Sequence, residues 1–196
     1  RLIDDRELSP ETFYGAGMQD TIVDSSFTKF EYISALAIEK AIAQLTIPLD
    51  RSLFILSTTK GNISYLEQGQ SDHPRIHLHA AAAFLAQRFG FGKHLVISNA
   101  CISGVLALIA GKRWIESGGY DHVVVVGADV LSRFVISGFQ SLQALSSEPC
   151  RPFDAARKGI NLGECAAAVV LTSRPDVLGV KPSVSLIGGG LSNDAN

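Results

Sequence analysis

The 196-residue chain has few charged residues, few cysteines and no long apolar run. Charged residues make up 18% of it and hydrophobic residues 46%, and the formal net charge is −2. No block of Lys or Arg stands out, so we expect no nucleic-acid partner, because such binding depends on a basic surface. The same balance argues against intrinsic disorder, which needs low hydrophobicity and high charge.

No apolar segment approaches the ~20 residues that a membrane-spanning helix needs, so no membrane association is expected. The N-terminus, RLIDDRELSP, is charged and is not a signal peptide. Because it begins without methionine, we expect the sequence to be part of a longer chain.

Only three cysteines occur, Cys101, Cys150 and Cys165. An odd, sparse set is a poor disulfide framework. There is no C-x-x-C, and the one close histidine pair, His77 and His79, lacks nearby cysteine or carboxylate partners. We therefore predict a reduced cytoplasmic chain with no metal.

Helical and strand patterns alternate along the sequence. The patterns predict helices at 30–45, 78–89, 103–117 and 138–145, and strands at 52–59, 94–98, 122–127, 165–172 and 183–187. The strand HVVVVG is apolar without alternation, which is typical of a parallel strand covered on both faces. The order predicts an α/β fold with a substantially parallel sheet.

The stretch SNACISG puts Cys101 where the chain changes from strand to helix. The first N–H groups of a helix are unpaired and carry partial positive charge, which stabilises a nearby thiolate. Ser103 is a candidate helix cap, and Ala100 and Gly104 are small enough to admit a substrate. Position alone leaves two interpretations equally open, a reactive nucleophile or a buried structural cysteine. Cys165 is expected in the core, and Cys150 in a loop.

Four stretches, in this order, carry a more specific signal: SNACISGVLAL, VVVVGADVLSRFVISGFQSLQALS, ALSSEPCRPFDAARKGINLGECAAAVVL and IGGGLSNDAN. Together they resemble the β-ketoacyl-acyl-carrier-protein synthases, condensing enzymes of the thiolase superfamily. The third resembles that family's R-P-F-D-x-x-R-x-G-x-x-x-G-E-G-A segment, and the fourth its G-x-G-x-x-x-D-A-x-H run, ending before the histidine. The resemblance covers residues 97–196, whereas residues 1–96 fit only by the order of their elements.

The resemblance implies a thiolase-like layered fold, an α-β-α half with a mixed, largely parallel sheet. Residues 1–196 would form the N-terminal half-domain, without the family's first strand and its C-terminal half. Cys101 would be the nucleophile, with its own backbone N–H as one oxyanion donor. It would take an acyl group from acyl carrier protein and pass it to the carbanion formed by decarboxylation of malonyl carrier protein. The family needs no cofactor or metal, and the expected assembly is a homodimer or a ketosynthase heterodimer.

The chain also departs from the family. Cys165 stands where the family has glycine, and Gly127-Ala128-Asp129-Val130 replaces its G-G-x-E. We expect both changes to alter packing rather than chemistry. The family's catalytic histidines lie in its C-terminal half, and none of the five histidines here matches them: His73, His77, His79, His94 and His122. The 196 residues alone should therefore not catalyse condensation.

Two sets of charged residues are predicted to act together, one as an ion-pair network and one as a basic patch. The first is predicted to form a loop-fixing network of ion pairs under the active site: Arg151, Asp154, Arg157 and Glu164. The second could contribute to a basic patch for the acidic carrier protein: Lys112, Arg113 and Arg133.

Two alternatives to a condensing enzyme follow from the sequence. One is a non-catalytic partner subunit, like the chain-length factors that pair with ketosynthases, although such subunits lack the cysteine. The other is a cysteine hydrolase of the α/β type, but NACISG lacks the G-x-C-x-G spacing of that nucleophile turn.

Overall fold

The computed structural model describes residues 2–18, 24–178 and 184–192. Its helices are α1 (Lys29–Ile42), α2 (Ser64–Glu67), α3 (Leu78–Phe89), α4 (Ser103–Glu116) and α5 (Arg133–Ser141). Its strands are β1 (Leu2–Ile3), β2 (Phe13–Ala16), β3 (Leu53–Ser57), β4 (Lys93–Ile97), β5 (His122–Asp129), β6 (Leu162–Gly163) and β7 (Cys165–Thr172). No helix in these ranges is long and apolar enough to cross a bilayer.

The main sheet has four strands in the order β4-β3-β5-β7. Strands β4, β3 and β5 are parallel, whereas β7 runs antiparallel to β5 over its whole length. The predicted mixed, largely parallel sheet is confirmed. A second, small sheet joins β1, β2 and β6, and the sequence analysis did not predict it because its strands are only two to four residues long.

Helices cover both faces of the main sheet. On one face, α1 packs against β5 and β7, and α3 packs against β4; on the other face, α4 lies across β3 and β5. Successive residues of β5 point to opposite faces of the sheet. Val124 and Val126 lie in the core under α1 and α3, and Val123 and Val125 lie in the core under α4. This double burial explains the apolar sequence of β5.

Glycine allows α4 to lie close to the sheet. A Cβ atom added at Gly111 would stand 2.9 Å from Leu171 Cδ1 and 3.1 Å from Val123 Cγ1. A side chain at this position would require the Leu171 and Val123 side chains to move, so glycine permits the close packing of α4 on β5 and β7.

A buried polar cluster fixes the start of α1. Thr28 caps the helix in a capping box with Glu31. The Glu31 carboxylate is fully buried, pairs with Arg75 at 2.8 Å and accepts a hydrogen bond from Asn62. The cluster joins α1 to the segment between β3 and α3.

Two predicted elements differ from the structure. The helix predicted at 138–145 is α5, which starts earlier because the Ser132 side chain accepts a hydrogen bond from Val135 N and caps it. The strand predicted at 183–187 is wrong as far as it is described, since residues 184–187 pair with no described strand and Val184 and Ile187 are exposed; Ser183 lies outside the described residues. The last residues of the IGGGLSNDAN stretch, 193–196, also lie outside them.

Candidate active site

The chain turns sharply between β4 and α4, and Cys101 lies on this turn. Ala100, just before the cysteine, has a φ of +45°, in the left-handed region that residues other than glycine rarely adopt. The Ser103 hydroxyl holds the turn, accepting a hydrogen bond from Asn99 N at 2.7 Å and donating one to the Ala100 carbonyl at 2.7 Å. A strained backbone conformation fixed by its neighbours is common at functional sites.

The structure of the turn bears on two expectations: that Ser103 caps the helix, and that Cys101 could be a buried structural cysteine. Ser103 is not the helix cap; Ile102 occupies that position, and its hydrocarbon side chain has no atom that could accept a capping hydrogen bond. The Ser103 hydroxyl is engaged in the turn instead. Cys101 is exposed, so the interpretation as a buried structural cysteine is wrong. Its thiol lies two residues before the first residue of α4, near the positive end of the helix dipole.

A cavity of about 970 Å³ opens beside Cys101. Its wall comes largely from α5 and the segment before it, and includes Leu131, Phe134, Val135 and Leu142. The exposed apolar surface of this wall is suited to a hydrocarbon chain.

One part of the cavity wall is charged. Lys60 and Asp129 both line the cavity, and Lys60 Nζ lies 2.5 Å from Asp129 Oδ2 and 3.0 Å from Thr59 Oγ1. The Lys60 side chain is 16% exposed and that of Asp129 is 47% exposed. Asp129 was expected to matter for packing only, but it belongs to the surface of the candidate site.

The topology brings these groups together. Lys60 follows β3, Cys101 follows β4 and Asp129 ends β5, and the three strands are parallel neighbours. The site therefore lies at the carboxyl edge of the sheet, where open α/β sheets bind ligands. This rule, applied to the predicted strands 52–59 and 122–127, could have pointed to Lys60 and Asp129 from the sequence.

The other cysteines do not join the site. Cys150 is exposed in a loop, as predicted. Cys165 is exposed and not in the core: it lies on the same side of β7 as Leu171, which packs under α4, but at the opposite end of the strand. Exposure alone therefore does not separate the three thiols.

The histidines stay apart from Cys101. His94 is exposed at the start of β4. His122 is buried at the start of β5, where its Nδ1 lies 2.9 Å from Thr172 Oγ1, and desolvation lowers its pKa. Among the described residues no group of three or more His, Cys, Asp or Glu could hold a metal ion.

The predicted network of Arg151, Asp154, Arg157 and Glu164 does not form. The first three lie in an exposed loop, where charges stay solvated and pair only locally. Glu164 instead makes a nearly buried cluster of its own: its carboxylate pairs with Lys29 at 2.6 Å and accepts hydrogen bonds from Met18 N and Leu131 N. It ties α1 to the segment that enters the cavity wall.

The candidate basic residues do not form one patch. Lys112 lines a groove beside the end of β7, Arg113 lines another beside Trp114, and Arg133 lines a third with Arg6 and Glu67. Arg133 alone belongs to α5, the helix that forms the cavity wall.

The family model "Beta-ketoacyl synthase, N-terminal domain" matches residues 57–176, which include the turn, α5 and β7. The chain belongs to the β-ketoacyl synthase family. Nodulation protein E of Rhizobium leguminosarum bv. trifolii is 30% identical over 148 residues, which are 74% of this chain and 35% of the relative. The mitochondrial 3-oxoacyl-[acyl-carrier-protein] synthase of Arabidopsis thaliana is 29% identical over 134 residues, 63% of this chain and 29% of the relative.

Solved structures give the same fold. A β-ketoacyl synthase from Burkholderia phymatum STM815 superposes with a TM-score of 0.69 at 21% identity, covering 84% of this chain and 49% of that chain. A ketosynthase in complex with its chain length factor, from Xenorhabdus doucetiae, gives a TM-score of 0.67 at 27% identity, covering 88% and 50%. The chain thus has the thiolase-like ketosynthase fold. It spans about a third of the length of the two curated relatives, nodulation protein E and the Arabidopsis thaliana synthase.

Proposed function

We propose that this chain is the N-terminal half of a 3-oxoacyl-[acyl-carrier-protein] synthase and supplies its nucleophile, Cys101. The observation that carries the proposal is the position of this thiol, exposed on a strained turn at the mouth of a large, mostly apolar cavity. Family membership supports the reaction class, since relatives of this chain are named 3-oxoacyl-[acyl-carrier-protein] synthases.

The reaction would proceed through an acyl-cysteine. The Cys101 thiolate attacks the carbonyl carbon of an acyl thioester, a C–S bond to Cys101 forms, and the C–S bond to the carrier thiol breaks. The backbone N–H of Cys101 would be one donor to the oxyanion. Malonyl thioester then loses carbon dioxide, and its carbanion attacks the acyl carbon. The new C–C bond releases the Cys101 thiolate and a 3-oxoacyl thioester two carbons longer.

The remaining catalytic groups are proposed to come from a C-terminal half. Residues 1–196 would be an N-terminal half-domain, since the chain covers about half of the solved ketosynthase chains that it matches. Carbon dioxide release drives the reaction, so the proposal includes no cofactor or metal. Acyl- and malonyl-loaded carrier proteins are the proposed partners, and the cytoplasm is the proposed location.

A dimer, of identical subunits or of a ketosynthase with a related subunit, is also part of the proposal. Within the described ranges, β4 pairs only with β3, so its outer edge is open to another strand. A solved neighbour is a ketosynthase bound to its chain length factor. Sedimentation analysis of the full-length protein tests this part: the mass of a dimer, alone or with an added ketosynthase-family subunit, supports it, and a monomer in both samples contradicts it.

The central experiment is acylation of the full-length protein. After incubation with an acyl-carrier protein, intact-mass analysis should find one acyl group on Cys101, and added malonyl-carrier protein should release it as the 3-oxoacyl product. Cys101→Ala should abolish both steps, whereas Cys150→Ala and Cys165→Ala are matched controls and should retain them. The 196-residue chain alone should not condense.

A non-catalytic partner subunit is the second candidate, and the solved ketosynthase–chain length factor complex favours keeping it. It predicts that the full-length protein is never acylated at Cys101 and only raises the activity of another ketosynthase. Acylation of Cys101 excludes it.

A further inference from the structure

The wall of the Cys101 cavity combines two kinds of surface that a plain hydrocarbon chain would not need together. Phe134, Val135 and Leu142 give it a broad apolar side. The ion pair of Lys60 and Asp129 gives it a charged side, in the same cavity. Hydrocarbon packed against this pair would remove water from charged groups without replacing their hydrogen bonds, which is unfavourable.

The Lys60 ammonium group is held in place and has donor capacity left. A lysine ammonium carries three N–H donors. In the part of the chain that the structure describes, Lys60 Nζ has two partners, Asp129 Oδ2 and Thr59 Oγ1. The low exposure of the lysine side chain, 16%, limits how much water can take the third place.

The charge balance restricts which group can take that place. Asp129 already compensates the positive charge at 2.5 Å. An anionic group beside Lys60 would also lie near the Asp129 carboxylate and be repelled by it. A neutral oxygen, a hydroxyl or a ketone, accepts the hydrogen bond without this repulsion.

We propose that Lys60 is a specificity-determining residue, which donates a hydrogen bond to a neutral oxygen atom on the acyl group bound in the cavity. The preferred acyl group is then an oxygen-bearing chain, hydroxylated or ketonic, rather than a pure hydrocarbon. This inference rests on the proposed acylation of Cys101 and names the substrate class of that step.

The test compares acyl-pantetheine thioesters of equal chain length on the full-length protein. The first thioester carries the hydrocarbon group octanoyl. A series of further thioesters carries a single hydroxyl or ketone oxygen at successive carbons of the same chain. The last is the monothioester of octanedioic acid, which ends in a carboxylate. The rate of Cys101 acylation is read by intact-mass analysis. A hydrogen bond to a charged donor is worth about tenfold or more in rate, so at least one oxygen position should react about tenfold faster than octanoyl.

The variants separate Lys60 from the rest of the wall. Lys60→Met should remove the preference, so that within this variant the oxygen-bearing thioesters react no faster than octanoyl. Lys60→Gln keeps a neutral donor and should retain part of the preference, and it serves in place of Lys60→Met if that variant does not fold. Lys158→Met is the matched control, because Lys158 is also ion-paired, to Glu148 at 2.7 Å, but lies on the exposed loop; it should keep the full preference.

Each adverse outcome is informative. Equal rates for all neutral thioesters in the unsubstituted protein, or a preference that survives in Lys60→Met, overturn the role of Lys60 and leave acylation at Cys101 intact. Faster transfer of the carboxylate-bearing thioester than of every neutral one also overturns it. Absence of any adduct on Cys101 overturns both this inference and the proposed function.

Discussion

The two faces of the main sheet differ in how completely they are covered. The face under α1 and α3 is closed, and its central side chains are fully buried, among them Phe30, Ile38 and Phe54. Among the described residues, the opposite face is covered by α4, which packs mainly against β3 and β5 and less against β4 and β7, and Val169 of β7 remains 43% exposed there. Cys101 and its cavity adjoin this partly covered side, where α4 begins.

This difference separates stability from chemistry. Burial of apolar surface is the main stabilising contribution, and it is concentrated under α1 and α3. A reacting thiol needs accessible space, which the cavity provides, and strained backbone such as that at Ala100 is common at functional sites. Substitutions on the closed face should therefore affect unfolding, and substitutions around the cavity should affect reaction of Cys101.

The largest expected effect is on the free energy of unfolding, and it is tested by substituting one phenylalanine in the closed face and one in the cavity wall. Phe54 of β3 is fully buried and stacks on Phe91 at 5.2 Å, so Phe54→Ala should cost about 3–5 kcal/mol of unfolding free energy. Phe134 is 63% exposed in the cavity wall, so Phe134→Ala should change that free energy by no more than about 0.5 kcal/mol. The same variant should slow acylation of Cys101 by hydrophobic thioesters, because it removes part of the wall.

Urea denaturation of the full-length protein measures the free energy of unfolding, and intact-mass kinetics measure the rate of Cys101 acylation. A loss for Phe134→Ala as large as that for Phe54→Ala would mean that the cavity wall belongs to the stabilising core, and the comparison would fail.

Two glutamates make the second test. Glu31 is buried with Arg75 and Asn62, so Glu31→Gln leaves the guanidinium without its counter-charge and should cost about 3 kcal/mol. Glu148 is on the exposed loop with Lys158, and its ion pair is screened by solvent, so Glu148→Gln should leave the denaturation midpoint unchanged. Comparable shifts for the two variants would contradict the burial argument.

Two hydroxyl groups make the third test. Thr28→Ala removes the cap of α1 and should cost about 1 kcal/mol without changing the reaction of Cys101. Ser103→Ala removes both hydrogen bonds that hold the turn, so it should cost a similar amount and also slow acylation of Cys101 several-fold. If Ser103→Ala reacts at the unsubstituted rate, the turn geometry is not important for the nucleophile.

Sequence patterns predicted most of the elements on both faces of the main sheet well. Strand 165–172 was predicted with its correct bounds, and the α1, α3 and α4 patterns were right within a few residues, because burial imposes a regular apolar period. The prediction for Cys165 was wrong, since a sequence pattern does not reveal how far along an edge strand the covering helix extends. The strand predicted at 183–187 had a suitable composition but no described neighbour to pair with.

The candidate site was only partly predictable. Cys101 was found because a strand–turn–helix pattern is local in sequence. Lys60 and Asp129 are 69 positions apart, and their contact depends on the order of strands in the sheet. The role of Ser103 in the turn depends on backbone angles that a list of residues does not contain, which is why a helix cap was expected instead.

The smallest expected effect lies at the end of the sheet opposite Cys101 and concerns pH. Burial of His122 lowers its pKa below the ordinary value, with Asp121 and Asp176 raising it and Arg174 lowering it to a smaller degree. The unfolded chain therefore binds a proton at higher pH than the folded chain does. Neutral His122, in contact with Thr172, contributes to the free energy of unfolding. This contribution is fully present above pH ~6.5 and is lost as the pH falls from there through the pKa of His122 in the folded protein.

The unfolding free energy of the full-length protein should consequently decrease between pH 7.5 and 5, with a component that His122→Gln removes. His94→Gln is the matched control, because His94 is exposed at the start of the neighbouring strand β4 and its replacement should leave the slope unchanged. Denaturation curves at several pH values for the three proteins give the slopes directly. An identical slope in His122→Gln and the unsubstituted protein would contradict a contribution of the buried His122 to the pH dependence of stability.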